Sequence, residues 1–270
     1  MKTKNVLRER LKGDKPTIGT MSFVMWPGMV EVIGHSGSFD YIEFSGQYAP
    51  YNLHTLEDFA RTVDTFDHMT SMIKIDQEPR AYLASRSVIS GIQNVLFSDI
   101  RNVKDATDAV ISMSPATPDF EGRVGLGGGR DVGYVPQGLG GIYSETSYHI
   151  KNTVDGVVVL MIEKKEAVDN LEKILSVQGV DMVQFGSSDY SITIGKSGQN
   201  SDPEVVEAED YMIETAIRLG VAPRVVIKDW READRYIRLG VKHFCMGFDI
   251  STIYNFCNEK GGSLAKKIGR

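Results

Sequence analysis

Residues 157-VVVLMIEKKEAVDNLEKILSVQGVDMVQFGSSD-189 decide the fold. The segment opens on a short apolar run, VVVLMIE, rich in β-branched residues and closed by a carboxylate. An amphipathic stretch follows, 164-KKEAVDNLEKILSVQG-179, with Gly179 placed to stop a helix in the left-handed cap conformation. A second apolar run, 181-DMVQF-185, completes the unit. Runs that are apolar at successive positions suit strands buried on both faces, as parallel strands joined by helices are. The segment reads as β–α–β.

The same rhythm extends through the chain. Further apolar runs stand at 17-TIGTMSF-23, 40-DYIEF-44, 70-TSMIKI-75, 92-IQNVLF-97, 223-PRVVI-227 and 242-KHFCMGF-248, which makes eight. Helices are expected at 27–37, 54–69, 79–90, 103–113, 203–220, 229–240 and 250–260, with Gly220 and Gly240 as two more caps. Eight such units in 270 residues predict an α/β fold: a (β/α)8 TIM barrel in one domain over 1–270, ahead of an open doubly wound sheet.

Composition narrows the class. The net charge of −6 argues against nucleic-acid or membrane-surface binding, which needs a basic stripe. The start, MKTKNVLRERLKG, has no apolar signal region, and no apolar run approaches the roughly 18 residues of a spanning helix. A cytoplasmic protein is expected. Cys245 and Cys257 lack metal or redox spacing, and Cys245 suits a core position.

Residues 114–156 break the rhythm, with no expected helix and a glycine-rich run, 122-GRVGLGGGRDVGYVPQGLGGIY-143. A loop of that length in a compact domain is usually a lid or binding loop. It is no phosphate cradle, because GLGGGR opens no apolar helix, and the GKS at 195–197 has Tyr190 where a Walker A motif needs its first glycine.

In such barrels the chemistry lies at the carboxyl ends of the strands. Polar residues there are Ser45, Gln47 and Tyr48, then Lys74 and Asp76, then Glu163, Asp189 and Asp249. Glu163 and Asp189 each close a strongly apolar run, where an unpartnered charge is costly. On consecutive strands they would converge, and two carboxylates without His or Cys suit Mg²⁺ or Mn²⁺. Equally, Glu163 could cap the helix beginning at Lys164 while Asp189 orders a turn.

The stretch 158-VVLMIEKKEAVDNLEKILSVQGVDMVQFGSSDYSITIG-195 resembles the metal-dependent class II 2-keto-acid aldolases of the HpcH/HpaI type. That family shows a strand ending Q-I-E, a helix with E-A-x-x-N, then G-V-D-x-x-x-x-G-P-x-D-L-S-x-x-x-G. Ser187 and Ser188 replace its Pro-Ala, and Tyr190 its Leu. The likeness extends to 36-SGSFDYIEF-44, against A-G-F-D-W-L-L-I-D, and to 238-RLGVKHFCMGFD-249, against a G-x-x-x-x-x-x-G-x-D ending.

The resemblance implies that Glu163 and Asp189 hold a divalent metal chelated by the carboxylate and keto oxygen of pyruvate or a similar 2-keto acid. Backbone amides of Gly186, Ser187, Ser188 and Asp189 would hold the carboxylate, and the metal would stabilise the enolate formed on C–C cleavage. It also implies a homo-oligomer, typically a hexamer with exchanged C-terminal helices, for which residues 249–270 are candidates.

The second-strand loop departs from the family. Where relatives have D-G-E-H-A-P, with the His as acid/base and the Asp orienting it, residues 45–50 read S-G-Q-Y-A-P. Tyr48 takes the histidine's place and Ser45 the aspartate's, while Lys74 matches the family's substrate-binding arginine. Ionising an ordinary Tyr at pH 7 costs about 4 kcal/mol, so Tyr48 suits a proton donor better than a base. Lys74 has three readings: a cation for the keto acid, a Schiff-base lysine, or a structural partner of Asp76. His149, after the glycine-rich run, is the histidine best placed to supply a base.

The expected function is a metal-dependent carbon–carbon lyase acting on a 2-keto acid through a pyruvate enolate, with an aldehyde or ketone as second partner. Alternatives are a β-keto acid decarboxylase or aldol-type synthase using the same enolate, or a catalytically silent keto-acid-binding barrel.

Overall fold

A computed structural model describes residues 4–118, 120–125, 129–130 and 146–270, without the side chains of 146–149. The eight strands are β1 (Thr17–Ser22), β2 (Tyr41–Ser45), β3 (Thr70–Ile75), β4 (Asn94–Phe97), β5 (Val157–Ile162), β6 (Met182–Phe185), β7 (Ala222–Ile227) and β8 (His243–Phe248). Each pairs in parallel with the next, and β8 pairs with β1 to close a barrel. The TIM-barrel expectation holds.

Period-two alternation divides the apolar residues into two cores. Outward-facing Ile42, Phe44, Ile73, Val95, Leu160 and Val183 pack in one cluster with helix residues such as Phe59, Ala109, Ile174 and Ile213. Inward-facing Tyr41, Met72, Leu96, Val159 and Met182 fill the barrel, joined by Leu7 from the helix Val6–Lys12. That helix is tied to the barrel where Asn5 Nδ2 donates to Asn94 Oδ1 at 2.8 Å and Arg8 pairs with Asp181 at 2.5 Å.

The connecting helices differ in detail from the sequence reading. The helix expected over 164–179 is two short ones, Lys165–Asp169 and Leu171–Leu175, broken at Asn170. That over 229–240 begins as a 3-10 turn, Trp230–Glu232, before Ala233–Arg238. The segment 114–156, expected to lack a helix, contains Thr146–Val154. Its sequence, TSYHIKNTV, is polar and β-branched, so neither propensity nor pattern marks it strongly. A further helix, Ser187–Thr193, follows β6 outside the segments where helices are expected. Among the described residues no helix is long and apolar enough to cross a membrane.

The barrel interior also carries a charge pair. Arg224 on β7 and Glu43 on β2 are both fully buried, with Nη2 and Oε2 2.5 Å apart. Arg224 Nε donates to the Tyr41 hydroxyl at 2.7 Å, and its Nη1 donates to the Gln184 side-chain oxygen. Gly19 makes room for this layer, since a Cβ there would stand 2.1 Å from the Tyr41 ring.

Removing one partner of a buried pair strands the other charge. Arg224→Met is therefore expected to lower unfolding free energy by about 3–5 kcal/mol in urea denaturation. The double variant Glu43→Leu/Arg224→Met should recover most of that loss. Equal destabilisation of single and double variants would show that lost packing, not the stranded charge, dominates.

Candidate active site

The carboxyl ends of the strands enclose a cavity of about 330 Å³. Its lining includes Ser45, Tyr48, Lys74, Glu163, Gly186, Ser187, Ser188 and Asp189, whereas Gln47, Asp76 and Asp249 are not among the lining residues. Glu43 and Gln184 lie lower in it, and Met21, Phe23, Met161, Phe185, Val226 and Phe248 complete the wall.

Glu163 follows β5 and is buried. One of its oxygens accepts the Asp99 N–H at 2.6 Å, from a residue held at φ +51° just after β4. Its other oxygen faces Gly186. A Cβ at Gly186 would stand 2.6 Å from the Glu163 Cβ and 2.9 Å from Oε2, so glycine is required here for space. Burial raises the Glu163 pKa above the ordinary carboxylate value, and the Lys74 charge opposes that rise.

Asp189 lies in the first turn of the helix Ser187–Thr193, which projects its carboxylate to the cavity, and Lys164 Nζ stands 3.4 Å away. Two buried or half-buried carboxylates, one with an oxygen freed by a glycine, form an all-oxygen set with positions left for water or substrate. Such a set fits a hard divalent cation of the Mg²⁺ or Mn²⁺ kind. No cluster of three or more His, Cys, Asp or Glu occurs among the described residues, so a closed all-protein cage is not what this site offers.

Lys74 sits on β3 beside Ser45 of β2. Its chain is buried, and burial lowers its pKa despite Glu163, Glu43 and Asp189 nearby. Lys74 Nζ donates to the Tyr48 hydroxyl at 3.4 Å and stands 4.6 Å from the centre of that ring. The loop is pinned there: the Gln47 N–H donates to the Lys74 carbonyl at 3.1 Å, and a Cβ on Gly46 would meet that carbonyl at 2.9 Å. Burial, followed by the Asp189, Glu163 and Asp76 charges, pushes the Tyr48 hydroxyl up to about 12. It is neutral at pH 7.

Other expectations fall elsewhere. Lys74 and Asp76 form no ion pair among the described residues, so the structural reading of Lys74 lacks its partner. Asp249 is a structural carboxylate, accepting from Ser22 Oγ at 2.7 Å and from the Phe23 and Val24 N–H groups at 3.1 and 3.0 Å. The side chain of His149 and most of the glycine-rich run lie outside the described residues.

Four residues were missed. Glu43 interrupts the apolar run DYIEF, and the logic applied to Glu163 would have found it. Gln184 interrupts DMVQF in the same way. Asp99 acts through its backbone, which no motif marks. Phe248 reaches the cavity because the β1–β8 register slips between Gly19 and Met21, pairing Met21 with Phe248 while Gly247 takes φ +64°.

A closed parallel barrel with two carboxylates, a buried lysine and a neutral tyrosine at its strand ends has the architecture of a barrel enzyme. The family model for HpcH/HpaI aldolase/citrate lyase matches residues 27–255. The chain belongs to that family and is a carbon–carbon lyase. A 4-hydroxy-2-oxo-heptane-1,7-dioate aldolase from Shigella boydii is 26% identical over 264 residues, covering 92% of this chain and 90% of that protein. The structure of a family protein from Burkholderia cenocepacia superposes with a TM-score of 0.85 at 20% identity, over 97% and 99% of the two chains. A citrate lyase beta subunit from M. tuberculosis, complexed with oxaloacetate and magnesium, superposes at 0.56 and 10% identity, over 88% and 93%.

The close approach of Gly186 to Glu163 gives a direct test. In Gly186→Ala the new methyl must displace the carboxylate, so Mn²⁺ affinity in titration calorimetry is expected to fall at least about tenfold, roughly 1.4 kcal/mol. Circular dichroism should remain that of the parent. Unchanged affinity would mean that Glu163 does not need its present position.

Proposed function

We propose that this protein makes or breaks the C3–C4 bond of a 4-hydroxy-2-keto acid, one carbon removed from the keto group, with pyruvate as one product and an aldehyde or ketone as the other. The observation that carries this reading is the convergence of Glu163 and Asp189 with buried Lys74 in one cavity. Glu163 and Asp189 would hold Mg²⁺ or Mn²⁺, which supplies an electron sink for the reaction when bound.

This chain's own residues supply the rest. The Lys74 ammonium, desolvated and 3.4 Å from the Tyr48 hydroxyl, attracts the substrate carboxylate. Amides of the Gly186–Asp189 turn give that carboxylate hydrogen-bond donors. In cleavage, the bond from C3 of the pyruvyl half to the hydroxyl-bearing carbon breaks and its electron pair stays on the pyruvyl half. The hydroxyl proton passes to solvent as the carbonyl forms, C3 gains one proton, and its donor is reprotonated from solvent. Tyr48, neutral with its pKa near 12, serves as the donor to C3.

The same property of Tyr48 favours a second reading. Decarboxylation of a β-keto acid needs the electron sink and a proton donor but no base for a hydroxyl proton. The oxaloacetate on the M. tuberculosis neighbour is in keeping with that chemistry. A homo-oligomer assembled through the C-terminal helices belongs to this proposal. Exposed Ile253, Tyr254, Phe256 and Leu264 there support it.

Glu163→Ala and Asp189→Ala should each weaken Mn²⁺ binding at least about tenfold and abolish deuterium exchange into the pyruvate methyl group. Retained affinity and exchange in either variant would end the metal assignment. Tyr48→Phe is expected to cut turnover by about 10²–10⁴ while pyruvate and cation still bind, the range of a lost general acid. Full turnover in that variant would move the proton donor elsewhere.

A further inference from the structure

The cavity is divided by polarity. Its β2, β3, β5 and β6 side presents Lys74, Tyr48, Glu163 and Asp189 beside the apolar Met161 and Phe185, whereas its β7, β8 and β1 side presents only apolar side chains, Val226, Phe248, Met21 and Phe23. The apolar wall is built, because the Phe23 and Phe248 rings pack with centroids 5.3 Å apart and an interplanar angle of 46°. The β1–β8 slip turns Phe248 to the same side as Met21. Buried Asp249 holds the wall's backbone through the Phe23 and Val24 N–H groups.

Charge is as unevenly distributed as polarity. Lys74 is the only cation among the described lining residues. Arg224 lies beneath the cavity and already pairs with Glu43. Lys164, outside the lining, stands at Asp189, and Lys228, past the end of β7, is outside it too. Residues 131–145, DVGYVPQGLGGIYSE, contain no Lys, Arg or His. Once Arg224 has balanced Glu43, the charges of Glu163, Asp189 and Lys74 leave one negative charge. A divalent cation with the carboxylate of one keto acid brings the site to neutrality. A second carboxylate against Val226 and Phe248 would be desolvated with no cation among the described lining residues to meet it, which is strongly unfavourable.

We infer that the carbonyl partner, the half of the substrate remote from the keto acid, is uncharged and apolar: an aliphatic or aromatic aldehyde or ketone. The relative from Shigella boydii differs here, since its name specifies a dioate, with a carboxylate at each end. The inference rests on the function proposed above, with Lys74 assigned to the keto-acid end. Met21, Phe23, Val226 and Phe248 are then specificity-determining residues, while the bond made or broken is the one already described.

Non-cleavable ligands that share the keto-acid end test the far end alone. With Mn²⁺ present, titration calorimetry on the full chain compares 2-oxo-4-phenylbutanoate, with an apolar tail, and 2-oxoadipate, with an acidic one. The apolar ligand is expected to bind at least tenfold more tightly, and Val226→Lys should narrow or reverse that preference. Phe248→Lys provides an independent second variant on the same wall. Equal or tighter binding of 2-oxoadipate by the parent protein would overturn the inference, and so would a preference unmoved by both variants. Deuterium exchange into the pyruvate methyl group is measured alongside. If exchange proceeds while the diacid is preferred, only the inference fails. If neither ligand binds and exchange is absent, the proposed function fails and takes the inference with it.

Discussion

A strand in a closed parallel barrel has one face toward the helices and one toward an interior only a few side chains wide. Every second residue must therefore be accommodated inside, whatever its chemistry. Most of those positions are filled by Met72, Leu96, Val159 and Met182, which pack without polar obligations. Where an inward residue is polar, it needs a partner in the same layer, and Arg224 meets Glu43 as an ion pair and Tyr41 and Gln184 as hydrogen-bond acceptors in that way. One layer higher the interior opens, and the inward positions become the walls of the cavity. Site and core are thus successive layers of one stack.

The upper layer differs from the lower in having no internal balance of charge. Glu163 and Asp189 face Lys74 alone from within the lining, and burial works against the charged forms of both Glu163 and Lys74. Such an arrangement gains from what it binds, because a cation and an anionic substrate end supply the missing partners. Burial, reinforced by the same negative field, holds the proton on Tyr48. A side chain at position 48 that keeps its proton at neutral pH suits donation better than acceptance, which is the role proposed for Tyr48.

Strand positions were legible in the sequence because strands buried on both faces leave unbroken apolar runs such as VVVLMI. Glu163 and Asp189 were legible for the complementary reason, since a carboxylate at the end of such a run calls for an explanation. Helix limits were less so. Asn170 and the 3-10 turn at Trp230–Glu232 interrupt patterns that remain amphipathic through the break, and SSDYSIT carries no apolar stripe to mark a helix. Phe248 was hidden by geometry. Strict alternation from inward-facing Cys245 would send residue 248 outward, and only the slipped register with Gly247 at positive φ turns it in. Asp99 contributes an N–H, which every residue but proline possesses.

Asp249 joins three things that the chain order keeps apart. Its carboxylate receives Ser22 Oγ and two amides from the segment after β1, and also the Ile250 N–H at 2.7 Å, in the opening turn of the helix Asp249–Phe256. The first and last strands meet at this seam, so one anionic knot fastens the closure of the barrel, the aromatic wall of the cavity and the departure angle of the C-terminal helices. These three are mechanically one joint. A shift in the direction of those helices would therefore be felt at Phe23 and Phe248, and a change in the aromatic wall would be felt at the start of the C-terminal helix.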